Sequence, residues 1–289
     1  LPMNLSDPQT IRSILSHHGF SFSKGLGQNF LIDPSVCPKM AEACGADKGV
    51  GVLEIGPGIG VLTKELCSRA EKVTAVELDH RLLPVLSETL SGFSNLHVIE
   101  GDILKLDLPE LLKTEFPGLK IEVCANLPYY ITSPVIMGLL EADLPIDAMT
   151  VMVQKEAAER LCAIPGTRAC GSVSAAVWFY SEPEILFPVK RNCFLPSPKV
   201  DSTVIQLKIR SKPPIDIPSQ KAFFRTVHAC FSQRRKTVLN SLSAGLSLPK
   251  EKARWALSEA KILENRRAEQ LSMDEFAALT RALSKGDVI

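Results

Sequence analysis

Between Val50 and Arg69 the chain reads as a short apolar strand, Val50 to Ile55, then the turn Gly56-Pro57-Gly58-Ile59-Gly60, then a helix that opens at Val61. A strand passing through a glycine-rich turn straight into a helix is the opening unit of a doubly wound parallel sheet, and the turn is where such a sheet receives a nucleotide. Glycine suits the turn because a backbone without Cβ lets a ligand approach closely. The spacing here is G-x-G-x-G, not the G-x-G-x-x-G of pyrophosphate binders. An acid, Glu54, precedes the turn. Together these features suit a cationic ligand better than a pyrophosphate.

The rest of the first two hundred residues keeps the same alternation of short apolar strands and helices, which predicts an α/β fold. A second strand, Lys72 to Leu78, ends in Glu77-Leu78-Asp79. A third, Leu96 to Glu100, ends in Gly101-Asp102-Ile103. An acid about 20 residues after the glycines is placed to hold ribose hydroxyls. Asp102 can accept from an adenine amino group, with Ile103 packed on the ring. One acid alone is more often a cap for the next helix. Three at successive strand ends point to a ligand, because ligands of such sheets bind at the carboxyl ends of the strands. Adenosine carrying a sulfonium fits this set, which contains no phosphate clamp.

A fourth strand, Ile121 to Ala125, runs into Asn126-Leu127-Pro128-Tyr129-Tyr130. The loop offers an amide side chain, a carbonyl just before a proline and an aromatic face. Asn126 and the Leu127 carbonyl can accept the two protons of an exocyclic amine, and Tyr129 can stack on the ring that bears it. The bland alternative is a strand ending in a turn, since Asn and Pro are turn residues. A fifth strand is predicted over Ala148 to Val153, and a closing pair over Glu184 to Val189 and Ser202 to Ile209. Phe194 lies between that pair beside Pro196-Ser197-Pro198. It is either core or a second aromatic wall opposite Tyr129. Upstream, Lys24 to Leu31 reads as a loop that closes over a ligand, and Asp33-Pro34 as a helix start.

The proline-rich stretch Ser211 to Pro218 predicts a boundary between a domain of residues 1–210 and one of residues 211–289. The second shows no strand pattern and four short helices, over Lys221 to Phe231, Lys236 to Leu242, Lys250 to Glu259 and Ser272 to Leu283. Net charge decides what the second half meets. From Phe187 to Arg254 there are fourteen Lys and Arg against three Asp and Glu, while the whole chain carries +1. An excess of +11 balanced by −10 elsewhere favours a polyanion partner over a solvated charged face. Lys190, Arg191, Arg234, Arg235 and Lys236 are the candidates for phosphate contact. The eight cysteines include no C-x-x-C pair, so free, mostly buried thiols and no zinc are expected. No apolar run is long enough for a bilayer. The first ten residues lack the pattern of a secretory signal, so a cytoplasmic protein is expected.

Several stretches, taken together and in order, resemble one family. They are Gly27-Gln28-Asn29-Phe30-Leu31, Glu54 to Gly60, Glu77-Leu78-Asp79, Gly101-Asp102, Asn126-Leu127-Pro128-Tyr129, Gln154-Lys155-Glu156, Phe194 with Pro196 to Ser202, and Arg234-Arg235-Lys236. The set resembles the ribosomal RNA adenine dimethyltransferases, most closely their bacterial small-subunit branch. The resemblance implies a Rossmann-like class I methyltransferase domain with a small all-helical C-terminal domain that binds rRNA; a monomer without a metal is expected. It implies S-adenosylmethionine as cofactor. The implied substrate is a pair of adjacent adenines in the 3′-terminal hairpin loop of small-subunit rRNA, each dimethylated at N6. By matching positions, Asn29 and Leu31 would cover the cofactor, Gly56 would approach its methionine part, Glu77 would hold the ribose and Asp102 the adenine. Asn126 would lie between cofactor and target, with Leu127, Tyr129 and Phe194 completing the catalytic set. One departure is Cys170-Gly171, where the family often has Tyr-Gly, which puts a target-loop contact in doubt. A DNA adenine methyltransferase, a large-subunit rRNA methyltransferase and a non-catalytic assembly or transcription factor of the same fold remain as alternatives.

Overall fold

A computed structural model describes residues 3–20 and 28–289. Lys24 to Gly27 of the expected closing loop lie outside the described residues. The strands are β1 Phe30–Leu31, β2 Val50–Ile55, β3 Lys72–Glu77, β4 Leu96–Glu100, β5 Lys120–Asn126, β6 Ala148–Gln154, β7 Ser181–Val189, β8 Phe194–Leu195 and β9 Ser202–Ile209. The helices are α1 Pro8–His17, α2 Val36–Cys44, α3 Val61–Cys67, α4 Leu83–Thr89, α5 Leu108–Glu115, α6 Thr132–Glu141, α7 Lys155–Leu161, α8 Ser172–Tyr180, α9 Gln220–Phe231, α10 Val238–Gly245, α11 Lys250–Glu259 and α12 Met273–Lys285.

Seven strands form one sheet in the order β4-β3-β2-β5-β6-β9-β7. β2, β3, β4, β5 and β6 are mutually parallel, and β9 runs antiparallel to β6. Every residue of β2 is buried, as a central parallel strand covered on both faces requires. The chain builds outward from β2 to β3 and β4, then returns to place β5 on its other side. The switch point of the sheet therefore lies between the carboxyl ends of β2 and β5. Those are the ends that carry Gly56 to Gly60 and Asn126 to Tyr130. β1 and β8 form a separate antiparallel pair, with Leu31 opposite Phe194 and Phe30 opposite Leu195.

Two helix starts differ from expectation for a local reason. Asp33 does not cap α2. Its Oδ1 accepts from the Ser35 amide and hydroxyl at 2.8 and 2.7 Å, so the carboxylate is spent on a turn and the helix begins at Val36. Likewise Lys236 does not open α10, which begins at Val238. Arg234 to Lys236 sit in the turn before it, and Thr237 is its cap.

The chain packs as two compact units, Leu1–Ala158 with Pro183–Ile209, and Glu159–Glu182 with Arg210–Ile289. This differs from the expected split at residue 210, because Glu159–Glu182 joins the helical unit. The cause is aromatic. On α8, Phe179 stacks on Phe223 of α9 at 5.1 Å between ring centroids, and Tyr180 stacks on Phe224 at 5.5 Å. Phe179, Phe223 and Phe276 are all fully buried in the core of that unit. Arg210 ties the junction from within, with Nε donating to the carbonyls of Trp178 and Ser181.

Candidate active site

A cavity opens at the switch point, lined by the residues that follow β2, β3, β4 and β5 together with β1 and Phe194 of β8. The turn after β2 forms its floor. Gly56 and Gly58 both lie at positive φ, +70° and +61°, where an L side chain is strained. A Cβ on Gly58 would also come within 3.2 Å of the Phe30 ring. A Cβ on Gly56 would meet nothing within 4 Å, so the backbone there faces open space.

Glu77, at the end of β3, is buried and held by the chain's own amides. Its Oε2 accepts from the Gly58 amide at 3.1 Å and its Oε1 from the Asp79 amide at 2.8 Å. The acid therefore joins the turn after β2 to the turn after β3. Burial raises its pKa, against the pull of those two amides. Asp79 does not line the cavity. Arg81 and Gln28 engage its carboxylate, at 2.7 Å to Arg81 Nη2 and 2.8 Å to Gln28 Nε2, and Arg81 pulls its pKa down to about 2. Asp102 lines the cavity and also does the bland work of a turn cap, accepting from the Leu104 amide at 3.0 Å. Ile103 beside it is buried and faces the same space. Asn29 and Leu31 reach the cavity because the β1–β8 pairing holds them there, and the same pairing brings in Phe194. Phe194 is 3% exposed and packs in the core while also lining the cavity.

Asn126, Leu127 and Tyr129 line the other side. The Leu127 amide donates to the Met152 carbonyl at 3.1 Å, which fixes the loop to β6. Pro128 then directs its carbonyl into α6, where the Ile131 amide and the Thr132 hydroxyl donate to it. Among the described residues the Asn126 side chain and the Leu127 carbonyl have no such partner. Two acceptors at one edge of a cavity are a place for an amine. The Tyr129 ring is half-buried and anchored through its hydroxyl, 3.2 Å from Ser202 Oγ of β9. Ser202 is a contributor that the sequence does not single out, while Phe30 belongs to the loop expected to close over a ligand. Phe30 carries a signal, an apolar residue inside a polar loop. Ser202 carries none, because its role depends on the register of β9.

The expected RNA contacts divide in two. Lys190 and Arg191 are exposed but both meet Asp201, Lys190 through an ion pair of 3.1 Å and Arg191 through its backbone amide at 3.0 Å. Arg234, Arg235 and Lys236 are exposed in a single turn, closed by the Lys236 amide donating to the Gln233 carbonyl at 2.9 Å, and among the described residues their side chains make no hydrogen bond or ion pair. The helical unit that holds them has seventeen Lys and Arg against ten Asp and Glu, hence +7, leaving −6 for the rest of the chain. All eight cysteines are free. Among the described residues no helix is long and apolar enough to cross a membrane.

A family profile for ribosomal RNA adenine dimethylase matches residues 19–285. A ribosomal RNA small subunit methyltransferase A from Geobacillus sp. (strain WCH70) is 48% identical over 284 residues, covering 97% of this chain and 98% of that protein. One from Alkaliphilus oremlandii is 45% identical over 282 residues, again covering 97% and 98%. Among solved structures, a dimethyladenosine transferase from Plasmodium falciparum superposes with a TM-score of 0.71 at 26% identity, covering 89% of this chain and 98% of that one. The 23S rRNA methyltransferase ErmE gives 0.69 at 29% identity, covering 88% and 99%.

Proposed function

The chain belongs to the ribosomal RNA adenine dimethylase family, and we propose that it methylates N6 of two adjacent adenines near the 3′ end of small-subunit rRNA, with S-adenosylmethionine as methyl donor. One observation carries the reading: two unpaired acceptors, the Asn126 amide and the Leu127 carbonyl, share a cavity with the acids of two neighbouring strand ends. The residues suit the cofactor. Glu77 is preorganised by two backbone amides and keeps acceptor capacity for ribose hydroxyls, Asp102 and Ile103 suit an adenine, and Gly56 leaves open space beside its backbone. Asn29 and Leu31 cover it. When bound, S-adenosylmethionine supplies an electrophilic methyl group on a sulfonium.

The chain's own task is orientation. The adenine amino group is a poor nucleophile, because its lone pair is delocalised into the ring. Asn126 Oδ1 and the Leu127 carbonyl accept its two protons, which favours a more pyramidal nitrogen and turns the lone pair toward the interior of the cavity. Tyr129 stacks on the flipped base, its ring held by Ser202, and Phe194 closes the opposite wall. Each such stack contributes roughly 1–3 kcal/mol. No strong base is required, since the alkylated nitrogen releases its proton readily to solvent.

The large-subunit alternative has a structural relative in ErmE at 29% identity, against 45–48% identity along nearly the full chain for small-subunit relatives. Offering the protein small-subunit particles lacking these methyl groups, large-subunit RNA and duplex DNA in parallel tests the choice. Labelled methyl transfer is expected to the first alone. Preferential transfer to large-subunit RNA or DNA would overturn it.

The free basic turn carries the RNA contact. Replacing Arg234, Arg235 and Lys236 together by Ala is expected to weaken binding to the rRNA and to flatten the slope of log affinity against log salt by roughly 2, at about 0.7 per lost phosphate contact. The same replacement at Lys190, whose charge is already met by Asp201, is expected to change the slope less. Filter binding over a series of salt concentrations measures both.

A further inference from the structure

Glu54 is 1% exposed, on the central strand β2, and it lines the cavity. Its Oε2 is sealed from solvent and, among the described residues, has no hydrogen-bond partner. Most of the groups around it do not suit a buried anion. On β3 stands another acid, Glu77. On β5 its direct partner in the sheet is Cys124. From α2 comes Cys37, and from α3 come Cys67 and the buried Thr63 hydroxyl, which favours the charged form but is outweighed by burial. Among the described residues no Lys, Arg or His acts on this carboxyl. A carboxylate buried without a counter-charge costs several kcal/mol, and such a group takes a proton instead. Burial accordingly raises its pKa to about 8.

We propose that Glu54 is neutral in the empty cavity and becomes the counter-charge for the cationic methionine end of the cofactor, shedding its proton as that cation arrives. The proposal rests on the cofactor reading above. The balance is simple: the carboxyl O–H bond breaks, the proton leaves to solvent, and the fixed positive charge of the ligand takes its place beside the carboxylate. Two properties follow. Glu54 adds no uncompensated anion to the cavity before loading, and the cavity's affinity for a cationic ligand rises with pH. The sign is set by linkage. Binding that releases a proton is favoured as protons become scarce, so affinity climbs toward pH 8 by up to about tenfold per pH unit and then levels off.

Calorimetric titration of the intact protein with S-adenosylmethionine, in two buffers of different ionisation enthalpy, counts the protons. Close to one proton released per site at pH 7 is expected. Glu54→Gln keeps the shape of the neutral carboxyl and cannot ionise. The ratio of wild-type to variant affinity is expected to rise at least tenfold between pH 6 and pH 8. The amino group of the ligand titrates equally in both proteins and drops out of that ratio. Repeating the titration with S-adenosylhomocysteine identifies the cation. Proton release with both ligands assigns the ammonium, and release with S-adenosylmethionine alone assigns the sulfonium. Binding without proton release in the wild type, or a wild-type to variant ratio that does not change with pH, overturns the proposal and leaves the cofactor reading intact. No binding of S-adenosylmethionine at any pH overturns both.

Discussion

Asn126→Ala is expected to reduce the turnover of methyl transfer by about 10²–10³-fold, the usual loss when one preorganised polar contact to the reacting group is removed. The loss should fall on kcat. Among the described residues the Asn126 side chain makes no hydrogen bond, so its loss leaves no fold contact unpaired there. The Leu127 amide still holds the loop to the Met152 carbonyl at 3.1 Å. Melting temperature is therefore expected to stay close to that of the wild type, and cofactor affinity to change only a few-fold. Single-turnover kinetics with saturating rRNA substrate separates these effects. Equal methyl incorporation by variant and wild type would remove Asn126 from the mechanism.

Glu77→Ala should act on the other half of the reaction. The carboxylate accepts from the amides of Gly58 and Asp79 at 3.1 and 2.8 Å, and both would lose their acceptor. Each buried donor left unpaired costs about 1–3 kcal/mol. The ribose acceptor is lost with them. A cofactor dissociation constant roughly 10²-fold weaker is expected, equivalent to about 2.8 kcal/mol. Glu77→Gln retains one acceptor oxygen and should lose less. Calorimetric titration reads both variants. If Glu77→Ala binds the cofactor as tightly as the wild type, the acid at the end of β3 does not hold the ribose.

Much of this site is local in sequence, and so it was legible. Glycines in G-x-G-x-G, an acid after each strand and a proline fixing a loop each act within a few residues of themselves. Parallel strands buried on both faces leave apolar runs that are easy to read. What escaped depends on distant partners. The two-residue strands Phe30–Leu31 and Phe194–Leu195 are too short to carry a pattern, yet their pairing brings Asn29 and Phe194 to one cavity. Ser202 anchors Tyr129 only because of the register of β9. The proline-rich stretch suggested a single boundary, whereas the aromatic face of α8 draws Glu159–Glu182 into the helical unit. Asp33 and Asp79 show the limit of reading single acids. The first closes a turn onto Ser35, and the second is taken up by Arg81 and Gln28.

The three thiols around Glu54 add a physical reason for its neutrality that composition could not supply. Cys37, Cys67 and Cys124 are buried; burial raises the first two, and a hydrogen bond with Cys44 together with burial raises the third. They line the acid with groups that do not ionise near neutral pH. A lysine or arginine at any of these positions would neutralise the site before a cationic ligand reached it.

The most direct test of the whole reading is the chemical identity of the product. Small ribosomal subunits lacking these methyl groups are incubated with the protein and methyl-labelled cofactor, and the rRNA is digested to nucleosides and separated. The label is expected in N6,N6-dimethyladenosine, at two such residues per particle and from adjacent positions. Label confined to another base, or to a nucleoside of large-subunit rRNA, would contradict it.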